Sequence, residues 1–202
     1  LTLLLFGDYQ RGFAEYEWRW RTPQLQPRQF QQPLWDGSDL HSKTILLHVE
    51  QGLGDSIQFI RYAPILRSRG AKVIVACYQE LIRLFATVAG IEYLSVSFEG
   101  LPVFDFHAPL MSLPRILGTT LETIPANVPY LTPPAECKFA LASDAKFKVG
   151  IVWAGNPIRR KDNQRSDGLS DLVHWLELRE ALFMVLNKTC QERRLLFPII
   201  PF

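Results

Sequence analysis

From Thr44 onward, short continuous apolar runs alternate with stretches of helical period. "TILLHV" (Thr44–Val49) reads as a first strand, and Ser56–Arg69 reads as a helix. Gly70 ends that helix, because glycine tolerates the left-handed conformation at a helix C-terminus. Pro64 lies inside it and is expected to kink or split it. "AKVIVAC" (Ala71–Cys77) is a second strand, Gln79–Ala89 a second helix stopped by Gly90, and Ile91–Val96 a third strand. Phe104–His107 is a short fourth strand candidate, and "KVGIVW" (Lys148–Trp153) a further one. The intervening "PLMSLPRILGTTLETIPANVPYLTPP" reads as loop with at least one short helix, and Ser170–Glu180 as helix. Apolar strands between helices imply a parallel α/β sheet covered on both faces, a three-layer arrangement. The first strand–helix–strand unit takes about 34 residues, and its crossover is expected to be right-handed.

Before Thr44 the pattern is different. In "GDYQRGFAEYEWRW" the spacing of Phe6, Tyr9, Phe13, Tyr16 and Trp20 predicts helix over residues 1–21 with one aromatic face. Gly7-Asp8 is expected to turn the chain between two helices. "TPQLQPRQFQQPLWDGSD", rich in proline and glutamine, predicts an extended linker from Thr22 to Asp39, within a connecting region of residues 22–43.

Totals change this picture little. The chain has 202 residues, 48% of them hydrophobic, so a real core can be buried. A net charge of +2 gives no argument for nucleic acid, and no apolar run is long enough to cross a bilayer. Leu1–Phe6 lacks the basic region and cleavage site of a signal peptide. The first residue is not Met, and we expect a piece of a longer protein. Cys77, Cys137 and Cys190 are widely spaced, which argues against a disulfide framework and a zinc site. The four histidines form no metal motif. A cytoplasmic setting, with no resident metal or cofactor, is the expectation.

Chemistry concentrates at two strand ends. Gly52-Leu53-Gly54-Asp55 follows the first strand, where parallel sheets place ligands. It is not a dinucleotide fingerprint, since Ile57 holds the third glycine position, and no P-loop lysine follows. Asp55 has two readings. As an N-cap it would accept from the N–H of Ile57 or Gln58, contributing roughly 1 kcal/mol. As a rigid, ionised carboxylate at a cleft it would take a proton from a hydroxyl. Both hold only if one oxygen stays free. Glu50 and Gln51 precede the glycines and are candidate ligand contacts; otherwise Glu50 is solvated or pairs with Arg61. At the second strand end, Trp153 precedes the turn Ala154-Gly155-Asn156-Pro157, and Arg159, Arg160, Lys161 and Arg165 follow. Such a cluster holds a phosphate or is a solvated basic loop; Trp153 stacks on a ring or sits in a core. Ser166 or Ser170 is placed to cap the last helix.

"PLWDGSDL", "EQGLGDSIQFIRYAP", "FDFHAPLMSLPRILGTT", "IPANVPYL" and "VGIVWAGNP", in this order, resemble bacterial tetratricopeptide-repeat proteins carrying a heptosyltransferase-like domain. That domain is similar to glycosyltransferase family 9 and, distantly, to the protein O-linked N-acetylglucosamine transferases. The resemblance spans roughly residues 3–166. It implies a GT-B fold of two Rossmann halves, the first facing the acceptor and the second holding a nucleotide-sugar without an obligatory metal. On it, residues 1–21 are the end of a repeat array, 22–43 a linker, 44–180 the acceptor-side Rossmann domain and 181–202 an unmatched tail. Asp55 matches the acid proposed to deprotonate the acceptor, and Gly52 and Gly54 match its loop. Trp153, Gly155, Asn156 and Pro157 match a turn near the donor phosphates, and Asp162, Arg165 and Ser166 the segment after it. Arg159 stands where the family often has histidine, and Asp167-Gly168 where it has isoleucine-proline. The donor half is missing, and the expectation is a reading frame truncated or shifted near residue 180. The implied function is the acceptor-side half of an inverting, nucleotide-sugar-dependent glycosyltransferase, weak or inactive alone, with a protein or glycan acceptor. The rivals are a repeat-type interaction scaffold with a degenerate transferase fold, and a small nucleotide-binding protein. Protein partners bound through the repeat helices are expected; nucleic acid and a membrane span are not.

Overall fold

The structure, a computed structural model, describes residues 1–23, 25–133, 147–151 and 181–185. The chain forms two compact units, residues 1–138 and 139–202. In the first unit, strands β1 (Thr44–His48), β2 (Lys72–Ala76), β3 (Ile91–Ser95) and β4 (Phe106–Pro109) form an all-parallel sheet in the order β3-β2-β1-β4. Register runs from Thr44↔Lys72 to His48↔Ala76, and from Ile45↔Phe106 to His48↔Pro109. The α/β class and all four strands agree with the apolar pattern.

The connection after β1 is α3 (Leu53–Phe59), a 3₁₀ turn (Ile60–Tyr62) and α4 (Ala63–Ser68). Pro64 thus splits the expected helix and sits in the first turn of α4, where its missing N–H costs nothing. Gly70 (φ +86°) and Gly90 (φ +88°) take the left-handed conformation expected of them. After β2 the helix is shorter than its pattern suggests: a 3₁₀ turn (Gln79–Leu81) and α5 (Ile82–Phe85). Thr87 accounts for the early stop, as its hydroxyl donates to the Leu84 carbonyl at 2.7 Å and competes with the helix ladder.

The two faces of the sheet are covered differently. Ile45, Leu47, Val73, Val75 and Cys77 pack in one core with Phe59, Ile60, Leu66, Leu81 and Phe85 of the helical connections. On the opposite face Leu46, Ile74 and Ala76 meet Phe30, Phe98, Leu101 and Phe104, which come from connecting segments. Among the described residues the expected third layer is therefore loop, because residues 96–105 between β3 and β4 form no helix.

The N-terminal region corrects the sequence pattern twice. α1 (Thr2–Leu5) and α2 (Tyr9–Tyr16) are separated at Gly7 (φ +82°), as expected, and a 3₁₀ turn (Glu17–Arg21) follows. Phe13 and Tyr16 pack against the core, but Phe6 is 83% exposed and leaves the aromatic face. The extended segment at residues 22–43 is not a free connector. Trp35 and Leu40 are buried in the core, and the Trp35 indole donates to the Ser38 carbonyl at 3.0 Å. Leu34 bridges His107 in parallel, with His107 N–H donating to Pro33 and Trp35 N–H donating to His107. The segment thus lies along the outer edge of β4.

In the second unit β5 (Phe147–Ile151) and β6 (Ala181–Val185) pair in parallel, from Phe147↔Ala181 to Ile151↔Val185. They form a sheet of their own, so the 44–180 span expected as one domain straddles the two units. β6 falls where an unmatched tail was expected. The expected helix at 170–180 lies outside the described residues. Among the described residues no helix is long and apolar enough to cross a membrane.

Candidate functional site

β2 lies on one side of β1 and β4 on the other, so the strand order reverses between β1 and β4, and the carboxyl ends of these two strands are where such sheets place ligand crevices. The turn of residues 50–55 leaves β1 there, and the 3₁₀ turn Leu110–Ser112 leaves β4.

Asp55 is not the N-cap of α3. Gly52 is the cap (φ −64°, ψ 169°), and Asp55 sits at the third helical position. Its Oδ2 accepts from the Gly52 N–H at 3.1 Å, the carboxylate half of a capping box; glycine has no side chain to supply the other half. The cap lies three residues earlier than expected because Leu53 already begins the helix. Among the described residues nothing hydrogen-bonds Asp55 Oδ1, and the side chain is half-buried. Structural and chemical roles are therefore compatible. Gly54 borders open space: a Cβ built on it meets no atom within 4 Å.

Glu50 is neither solvated nor bonded to Arg61. Its side chain is only 4% exposed, and Arg19 Nη2 donates to both its oxygens, at 2.9 and 3.1 Å. Met111 N–H donates to Oε1 at 3.2 Å. Burial pushes the Glu50 carboxyl up to about 7, while Arg19 pulls the other way. Arg61 instead donates to the carbonyls of Gln58 and Pro125 and to the Tyr130 hydroxyl, lying 4.4 Å from that ring. Glu50 is thus a buried support and not an open ligand contact. Gln51 is also held: its side-chain amide donates to the Tyr16 hydroxyl at 2.9 Å, and its backbone carbonyl accepts from the Tyr78 hydroxyl at 2.6 Å.

Arg19 is the residue the sequence pattern did not single out. Its Nη1 donates to Tyr16 O and Glu17 Oε1, and its Nη2 also donates to Ser112 Oγ at 2.7 Å. Ser112 in turn donates to Glu17 Oε2 at 3.2 Å. The guanidinium lies 5.0 Å from the Tyr16 ring centre and 4.5 Å from that of Trp20, while Nε is buried with no hydrogen-bond partner among the described residues. The signal was a cation inside an aromatic helical face, "YEWRW".

Other chemistry-bearing groups lie elsewhere. Cys77 is buried, and burial pushes its thiol up to about 11, against the thiolate form. His48 Nε2 and His107 Nδ1 stand 3.3 Å apart among Phe30, Phe98 and Phe104. Burial drives the His48 imidazole down to about 3, and the His107 value is also lowered. No group of three potential metal ligands occurs among the described residues. A cleft of about 100 Å³ opens between α2 and α3, lined by Tyr9, Phe13, Arg61, Tyr62 and Thr119 among others; it does not include Asp55. Trp153, Gly155, Asn156, Arg159 and Arg165 lie outside the described residues.

Fold and turn together define a parallel α/β sheet with a candidate ligand crevice at its switch point. The chain is similar to the protein FlbA of Caulobacter vibrioides (strain ATCC 19089 / CIP 103742 / CB 15), at 27% identity over 176 residues. The similarity covers 75% of this chain and 30% of FlbA, so the chain spans under a third of that relative. No protein-family model matches the chain, and no solved structure matches it.

Proposed function

We propose that this chain is the acceptor-side part of an inverting, nucleotide-sugar-dependent glycosyltransferase, with Asp55 as the base. The observation that carries the reading is the division of labour within one carboxylate. Oδ2 is fixed by the Gly52 amide at the mouth of a parallel sheet, while Oδ1 has no protein partner among the described residues. The acceptor hydroxyl gives its proton to Oδ1 as its oxygen attacks the anomeric carbon, and the bond from that carbon to the nucleoside diphosphate breaks on the opposite side. Open space beside Gly54 admits the acceptor. The donor would be held by the second Rossmann half. β5 and β6 are parallel and joined by residues 152–180, a connection long enough for a crossover, which supports the start of such a half. The basic cluster at Arg159 and Arg165 belongs to that connection.

The test is Asp55→Asn, made at the matching position of a longer relative that transfers sugar. Transfer should fall by about 10²–10⁴-fold, with a stability loss of no more than about 1 kcal/mol. Unchanged transfer would remove the base role. This chain alone should transfer little from any nucleotide-sugar, and ordinary transferase rates from it would refute the half-site reading.

A second reading, an interaction scaffold, is favoured by one observation. Leu1, Leu5 and Phe6 are 79%, 86% and 83% exposed on and beside α1, an apolar surface suited to another helix. Under it, Asp55→Asn produces only the modest capping loss.

A further inference from the structure

We propose that the N-terminal helical segment forms one wall of the Asp55 site, with Arg19 and Tyr16 as positioning residues that hold the 50–55 turn in its working shape. The inference rests on the reading of Asp55 as the acceptor base. The argument begins with where the segment lands. Arg19 touches Glu50 after β1 and Ser112 after β4, two positions 31 and 93 residues away in sequence. Its guanidinium therefore spans the two strand ends that bound the crevice.

Each residue before the glycines has its own tie to this wall or to the sheet. Glu50 is held by Arg19 Nη2, and Gln51 by the Tyr16 hydroxyl on one side and the Tyr78 hydroxyl on the other. The next amide, Gly52 N–H, is the one that orients Asp55. Arg19 is itself fixed by Glu17, Ser112 and two aromatic rings, so it is a preorganised clamp and not a loose counter-ion. A wandering Glu50 would let the Gly52 amide swing and release the Asp55 carboxylate. Such support around a reacting group is what keeps it within a fraction of an ångström of productive geometry.

Hydrogen exchange on the full chain tests the proposal without any sugar. In Arg19→Met, exchange of the Gly52 and Met111 amides should rise by about tenfold or more, the loss of roughly one charge-assisted hydrogen bond, while the Leu46 and Leu47 amides of β1 keep their protection. Tyr16→Phe should raise Gly52 exchange by a smaller factor. The double variant Arg19→Met/Glu50→Met removes both buried charges at similar volume. It should recover thermal stability yet leave Gly52 and Met111 exchanging fast. Unchanged Gly52 exchange in Arg19→Met, a rise shared equally by β1, or restored Gly52 protection in the double variant would each overturn the proposal and leave Arg19 a plain structural ion pair. Asp55→Asn separates the two claims. A loosened turn in Arg19→Met together with unaffected transfer in Asp55→Asn would sink the transferase reading alone.

Discussion

Glu50 and Asp55 flank the same glycine turn, five residues apart, and burial separates their roles. Glu50 is almost wholly enclosed, with both oxygens on Arg19 and a backbone amide. Asp55 is half-buried, with one oxygen committed to Gly52 and the other without a partner among the described residues. An acid sealed against a partner has nothing left to offer a ligand, and its removal takes acceptors from that partner's buried donors. A charge fixed by one oxygen keeps the other for chemistry. Of two acids at a cleft, the one with the incomplete hydrogen-bond inventory is the better candidate base.

The largest effect expected from that contrast is kinetic. Asp55→Asn in a longer relative should cost about 10²–10⁴-fold in transfer, while Glu50→Gln there should cost less and act through the turn. Measured initial rates at saturating donor check both. Next is stability. Glu50→Ala removes one of the two carboxylates on buried Arg19, with Glu17 remaining, and should cost about 1–3 kcal/mol in chemical denaturation. A loss below about 1 kcal/mol would show the pair to be solvated.

The pH dependence sharpens the contrast further. The Glu50 value is raised from 4.5 to about 7, so its contribution is present below pH 4.5 and is lost as pH rises through 7. The His48 value is lowered from 6.5 to about 3, so its contribution is present above pH 6.5 and is lost as pH falls through 3. His107 acts in the same direction as His48. Between pH 4.5 and 6.5 Glu50 opposes the two histidines, so thermal stability should climb less steeply than the histidines alone would make it. In Glu50→Gln the histidine slope stands alone, and the melting temperature should climb from pH 4.5 to 6.5. In His48→Asn one of the two histidine slopes is gone, so the melting temperature should rise less over that window than in the parent chain. The smallest effect should come from Gly54→Ala, since the added methyl meets open space within α3 and Gly54 has no left-handed φ. Stability should change by less than about 1 kcal/mol and in the favourable direction, yet acceptor affinity should weaken if the acceptor approaches there.

What could be read from residues alone follows the range of the forces involved. Strands β1 to β4, the split at Pro64 and the left-handed Gly70 and Gly90 depend on neighbours in sequence, and the pattern carries them. The start of α3 turned on whether Leu53 was already helical, a local contest too even for spacing to decide. The Glu50 partner was missed because Arg19 lies in another element 31 residues earlier, and composition marks it only as a cation among aromatics. The burial of Trp35 and Leu40 was missed for the opposite reason. Proline and glutamine around them read as solvated chain, but two large apolar side chains were enough to draw the segment onto the sheet.

That segment also governs how the protein meets copies of itself. The backbone of His107 exchanges hydrogen bonds with Pro33 and Trp35, so the outermost strand on that side has no spare ladder to offer a stranger. On the other margin, β3 carries Glu92, which meets Arg67 at 3.5 Å, a charged fringe that discourages stacking. Loosening the Pro33–Trp35 contact, as Trp35→Ala should do, would unseal one margin only, and the resulting association should grow from the β4 side.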